Sequence, residues 1–129
     1  KLAGDTELPS GKGLEGGSEL PFGRACITAR VQQGQAERLI LHPRDHGCHA
    51  ADVEWSDETA WTEQALAALD NRGPLLDALR WNAGAYLWFS GLSDSLESGL
   101  QTADGVLKTG QALQCLDQLR SWRSHLSIR

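Results

Sequence analysis

No methionine occurs anywhere in the 129 residues, position 1 included. Cysteine is sparse: Cys26, Cys48 and Cys115 are far apart, odd in number, and form no C-x-x-C pair. That excludes a disulfide framework or a paired-cysteine zinc site, and it fits reduced thiols in a cytoplasmic protein. No run of about 18 apolar residues exists, so nothing reads as a membrane-spanning helix. The opening Lys1-Leu2-Ala3-Gly4-Asp5 has no apolar signal stretch. There is no P-loop, no G-x-G-x-x-G and no nucleophile elbow, so nucleophilic catalysis is not suggested. A net charge of −5 argues against a nucleic-acid surface spread over the whole chain.

What is present is ordinary for one modest globular domain: 40% hydrophobic and 22% charged residues. Gly4, Gly11, Gly13, Gly16, Gly17 and Gly23 crowd into the first stretch, with Pro9 and Pro21. Residues 1–24 therefore read as a Gly-rich loop, with a short strand near Thr6-Glu7-Leu8. Such an opening suggests a chain that enters mid-protein or has been cut.

Residues 25–42 predict a β-hairpin. Ala25, Ile27, Ala29 and Val31 alternate with Cys26, Thr28 and Arg30, a half-buried strand. Gln32-Gln33-Gly34-Gln35 supplies the turn and residues 36–42 the return strand. Residues 43–55 are irregular, broken by Pro43 and Gly47. Residues 56–129 predict about four helices. Ser56 or Asp57 caps the first, which Gly73 stops. Pro74 opens the second, which is apolar on most sides and so buried, and Gly91 ends it. Asp94 and Glu97 form a capping box for the third, which closes at Gly110. Ala112, Cys115, Leu116, Leu119 and Leu126 mark the last. Two strands make only a marginal sheet in water, which implies further sheet from elsewhere.

In this order the residues resemble the anthranilate phosphoribosyltransferase family. Gly13-Leu14-Glu15-Gly16-Gly17-Ser18 is similar to that family's G-L-D-E-x-S, and Leu41-His42-Pro43-Arg44-Asp45-His46-Gly47 to its L-T-P-E-D-F-G. Arg72-Gly73-Pro74 through Asn82-Ala83-Gly84-Ala85 resembles K-G-P-x-x-D-A-V-x-L-N-A-A-A. Gly91-Leu92-Ser93-Asp94-Ser95-Leu96-Glu97 resembles G-x-A-D-S-L-E, and Thr109-Gly110-Gln111-Ala112-Leu113 resembles S-G-K-A-L. The resemblance implies an α/β fold, with this chain as the C-terminal segment of the large α/β domain: a β-hairpin followed by about four helices. It also implies a parent enzyme that transfers ribose 5-phosphate from phosphoribosyl pyrophosphate to anthranilate, in tryptophan biosynthesis. The remaining N-terminal part and a homodimer are expected partners, and this chain alone is too short to be the working enzyme.

The same resemblance names the site candidates. A departing pyrophosphate needs its charge neutralised, and magnesium held by carboxylates does so. Glu15 stands where the family's metal-binding Asp stands, and Gly16 replaces the following Glu. Glu15 is thus the candidate metal ligand, with Glu19 nearby but outside the motif. Lys12 is the candidate phosphate contact, acting as a point charge.

Other clusters carry plainer readings. His42, His46, Cys48 and His49 are the densest group of metal-capable side chains, but their spacing matches no standard zinc pattern, and a turn with exposed histidines is the simpler view. Trp61, Trp81 and Trp88 lie in apolar helical stretches and read as packing; Trp55 and Trp122 complete the five tryptophans. Asp45, Asp52, Glu54, Asp57, Glu58 and Glu63 read as a solvated acidic face, with no Lys or Arg between Arg44 and Arg72. Arg120, Arg123, His125 and Arg129 make the end basic. Asn82, mid-helix in an apolar run, reads as satisfying a buried backbone group.

Two readings of function follow. The first is a magnesium-dependent pentosyltransferase parent acting on phosphoribosyl pyrophosphate and a small aromatic acceptor. The second, favoured by Gly16, is a catalytically inactive paralogue that binds phosphorylated ligands or nucleic acid. A complete small α/β interaction module is a third, opposed by the two-strand sheet.

Overall fold

The computed structural model describes residues 20–49 and 51–126. The expected strand near Thr6, Lys12, Glu15, Glu19 and Arg129 all lie outside the described residues. Strands β1 (Cys26–Gln32) and β2 (Gln35–Leu41) pair antiparallel, with Cys26 opposite Leu41 and Gln32 opposite Gln35. Gln33 and Gly34 take φ of 50° and 77°. Positive φ at both turn positions gives the twist that a two-residue hairpin needs.

Alternation along the hairpin leaves one face covered and one bare. Cys26, Thr28 and Leu41 point inward and are buried. On the other face Ile27 pairs with Ile40, and Ile40 is 70% exposed. The covered face is thus the one that carries Cys26 and Thr28, while the more uniformly apolar set faces outward. Among the described residues the sheet has two strands only.

After β2 a single 3-10 turn, Pro43–His46, reverses the chain, and Gly47 closes it at φ 78°. Helix α1 (Glu58–Leu69) starts at Asp57, whose carboxylate accepts from the Ala60 amide at 2.9 Å. Such a cap stabilises by about 1 kcal/mol. Helices α2 (Leu76–Phe89), α3 (Leu96–Lys108) and α4 (Gln111–Leu126) follow. Pro74 lies before α2 rather than in its first turn. The N-cap of α3 is Ser95, which accepts from the Ser98 amide at 3.0 Å, one residue later than the Asp94 capping box expected. Both residue types cap well, so composition does not separate adjacent candidates.

The core gathers Leu20, Phe22, Cys26, Leu41, Cys48, Trp81, Ala85, Leu96 and Leu100. Trp81 is wholly buried, as expected, and Trp88 packs on the core edge. Trp61 instead is 45% exposed. Helices α2 and α3 meet at two glycines. A methyl group on Gly99 would overlap the Gly84 carbonyl oxygen, and one on Gly84 would lie 2.8 Å from the Leu100 backbone nitrogen. Side-chain-free surfaces let the two backbones approach, which seals the core around Trp81. Helix α4 has no buried residue.

Candidate functional site

The segment Leu20–Arg24 leads directly out of the Gly-rich stretch that carries Glu15 and Lys12. Two polar side chains and two apolar ones fix it. Leu20 and Phe22, each 5% exposed, insert into the core and supply the hydrophobic pins.

Asn82 supplies the first polar anchor. Its Oδ1 accepts from the Leu20 amide at 2.6 Å, and its Nδ2 donates to the Leu20 carbonyl at 3.2 Å. A second Nδ2 hydrogen donates to the Ala78 carbonyl one helical turn back, at 3.1 Å. A carboxamide is the side chain that offers donor and acceptor together, so it pairs with a passing residue as a neighbouring strand would. The expected role, satisfying buried backbone groups, is the one found.

Asp52 supplies the second. Its Oδ1 accepts from the Phe22 amide at 2.9 Å and the Gly23 amide at 2.6 Å. The Arg24 guanidinium lies 3.6 Å from its Oδ2. Gly23 is required by this approach, because a Cβ there would sit 3.1 Å from the Ala51 carbonyl carbon. Asp52 is therefore not simply part of a solvated acidic face: it is exposed like the other members of that run, but it holds two backbone amides. Sequence reading missed this role, and the one local signal was an acid in an irregular stretch with freedom to turn inward.

The histidine-cysteine cluster disperses. His42 Nδ1 accepts from the Arg44 amide at 3.3 Å within its own turn. His46 is half-buried, not exposed: its ring centroid lies 5.6 Å from that of Trp81, and its Nδ1 is 3.5 Å from Glu97 on α3. Cys48 is buried and faces Arg80, Nη2 to Sγ 3.9 Å, while His49 is exposed. Among the described residues no three His, Cys, Asp or Glu side chains are grouped to hold a metal ion.

The inner hairpin face is partly polar. Arg30 stacks its guanidinium 4.7 Å from the Trp88 ring, a cation–π contact. Arg80 lies 3.9 Å from Asp104 on α3. Burial pushes the Cys26 thiol above its ordinary value of 9.0, opposed in part by a backbone hydrogen bond from Leu41. A buried thiol of raised pKa is a structural group and a poor nucleophile.

Comparison with known proteins supplies what the described residues do not. The chain is 34% identical over 109 residues to the anthranilate phosphoribosyltransferase of Xanthomonas campestris pv. campestris (strain B100), covering 81% of this chain and 32% of that protein. It is 33% identical over 111 residues to the enzyme of that name from Laribacter hongkongensis, covering 83% and 32%. To that of Xanthomonas axonopodis pv. citri it is 30% identical over 121 residues, covering 91% and 35%. No family model matches the chain. The chain spans about a third of the length of the curated relatives it matches.

Proposed function

The chain is a partial homologue of the anthranilate phosphoribosyltransferases, and we propose that it forms one part, the C-terminal segment of the large α/β domain, of an enzyme that transfers ribose 5-phosphate from phosphoribosyl pyrophosphate to anthranilate or a related aromatic acceptor. The observation that carries this reading is the similarity itself, which extends over four fifths or more of the chain. The anchoring of Leu20–Arg24 supports it, because it holds the exit of the stretch in which Glu15 resembles a metal ligand.

In this reading Glu15 contributes one carboxylate to a magnesium ion, and Lys12 faces a phosphate. Magnesium is commonly held by one or two carboxylates, with substrate phosphates and waters filling the rest, so Gly16 does not by itself remove the site. The ion would neutralise pyrophosphate as it leaves. The chain's own task is positional. Asn82 and Asp52 fix Leu20–Arg24, the segment that follows the Gly-rich stretch in sequence. The parent is further proposed to be a homodimer. Buried free thiols at Cys26 and Cys48 suit a reducing cytoplasm. Among the described residues no helix is long and apolar enough to cross a membrane. The nucleic-acid-binding alternative has no support in these comparisons.

The test uses the full-length polypeptide with anthranilate, phosphoribosyl pyrophosphate and magnesium, following the loss of anthranilate fluorescence. Turnover that stops when magnesium is chelated is the expected result. A folded protein with no turnover would overturn the anthranilate assignment.

A further inference from the structure

Two tryptophans meet on the surface at the start of α1. Trp55 is 66% and Trp61 45% exposed, and their ring centroids lie 6.2 Å apart at an interplanar angle of 38°. Single exposed apolar side chains are ordinary, but two large rings in contact present a joined π-surface to solvent. The face of an indole carries the negative side of the ring quadrupole and attracts cations. Guanidinium suits it best, because it is flat and weakly hydrated and so stacks on the ring. The chain uses this chemistry internally, where Arg30 lies 4.7 Å from the Trp88 ring.

The charge near this pair has one sign, since no Lys or Arg occurs between Arg44 and Arg72. The acids differ in what they already hold. Asp57 is engaged by the Ala60 amide as the helix cap, and Asp52 by the Phe22 and Gly23 amides and Arg24. Glu54 and Glu58 are exposed and form no ion pair among the described residues. Glu54 is the chain neighbour of Trp55. Glu58 precedes Trp61 by three residues on α1, a spacing that places two side chains next to each other on a helix. Each ring therefore has a free carboxylate near it, and the combination is complementary to a side chain that is both flat and cationic.

We propose that Trp55 and Trp61, with Glu54 and Glu58, dock an arginine-bearing basic segment of another protein, one guanidinium stacking on the rings while the carboxylates pair with the segment's positive charge. The proposal does not depend on the enzyme reading. It is tested by titrating hexaarginine, and separately hexalysine, into the full-length polypeptide in a calorimeter. Hexaarginine should bind more tightly than hexalysine. Trp55→Leu should weaken hexaarginine binding about two- to fivefold and hexalysine binding less. Glu54→Gln with Glu58→Gln should weaken both about two- to tenfold at low salt. Glu63→Gln removes the same charge two residues beyond Trp61, on the opposite side of the helix, and should change neither. Circular dichroism checks that each variant is folded. Absence of hexaarginine binding, or an affinity that Trp55→Leu leaves unchanged, would overturn the proposal. So would equal losses per charge for Glu63→Gln and for the Glu54 and Glu58 pair, which would show diffuse attraction to an acidic chain. Acrylamide quenching that is the same for wild type and Trp55→Leu would also overturn it, because the pair would then be covered within the full-length polypeptide.

Discussion

Replacing Gly99 with alanine should destabilise the protein, while the same change at Gly105, six residues along the same helix, should stabilise it. At Gly99 the new methyl overlaps the Gly84 carbonyl oxygen and lies 3.0 Å from its carbonyl carbon. Both are backbone atoms, so no rotamer change relieves them and α3 must back away from α2. Overpacking of this kind costs about 1–3 kcal/mol, and a backbone clash belongs at the upper end. Alanine's better helix propensity offsets about 1 kcal/mol. The net loss is then about 2 kcal/mol. At Gly105 a methyl meets nothing within 4 Å. Only the propensity gain remains, about 0.5–1 kcal/mol. Urea unfolding of the two variants beside the wild type measures this directly, as midpoints that move in opposite directions at constant slope. A Gly99→Ala midpoint at or above the wild type would refute the close-crossing argument.

Asn82→Ala leaves the Leu20 amide and carbonyl without their side-chain partner and should cost about 1–3 kcal/mol; urea midpoints check the stability, and anthranilate turnover by the full-length polypeptide should fall with it. Glu15→Gln keeps the shape and removes the charge, so kcat/KM should drop at least about tenfold with a higher magnesium requirement; unchanged magnesium dependence would show that Glu15 holds no metal. For Cys26 the sign is set by burial. The native thiol stays protonated above its ordinary 9.0 while the unfolded thiol ionises. The unfolded state then binds fewer protons, so stability should fall as pH rises past 9.0 and be unaffected below it. Cys26→Ala should flatten that alkaline slope in unfolding curves taken between about pH 8 and 10.

The element order was legible because its signals are local. Apolar spacing located the helices, and Gly91 and Gly110 closed two of them with φ of 79° and 76°, whereas α1 ends at Leu69, ahead of the expected Gly73, with Asn71 taking the left-handed φ of 57°. A hairpin around Gln33-Gly34 needs only the turn and two alternating strands. What sequence did not disclose depends on distant partners. Asp52 meets amides 29 and 30 residues away. His46 is half-buried because Trp81 and Glu97 come to it, not because of its neighbours. The covered hairpin face could not be chosen from alternation, since Cys26 and Thr28 suit burial as well as Ile27 does. The metal motif was legible only through resemblance, because one carboxylate in a Gly-rich stretch has no intrinsic signature.

These long-range contacts converge on one helix. Asn82 holds the backbone at Leu20, Trp81 and Ala85 form the core that receives the Leu20 side chain, and Gly84 accepts the close approach of α3. Four positions within a span of five residues thus tie the loop exit, the core and the helix crossing to α2. Any change that shifts α2 against α3 must also shift the anchor of the Gly-rich stretch, because the core between them is close-packed and transmits displacement rather than absorbing it. The helix crossing is therefore part of what holds Leu20 in place. The physical reason for glycine at 84 and 99 then extends beyond stability: a backbone-to-backbone contact is stiffer than one made through flexible side chains, and it gives the anchor a fixed frame.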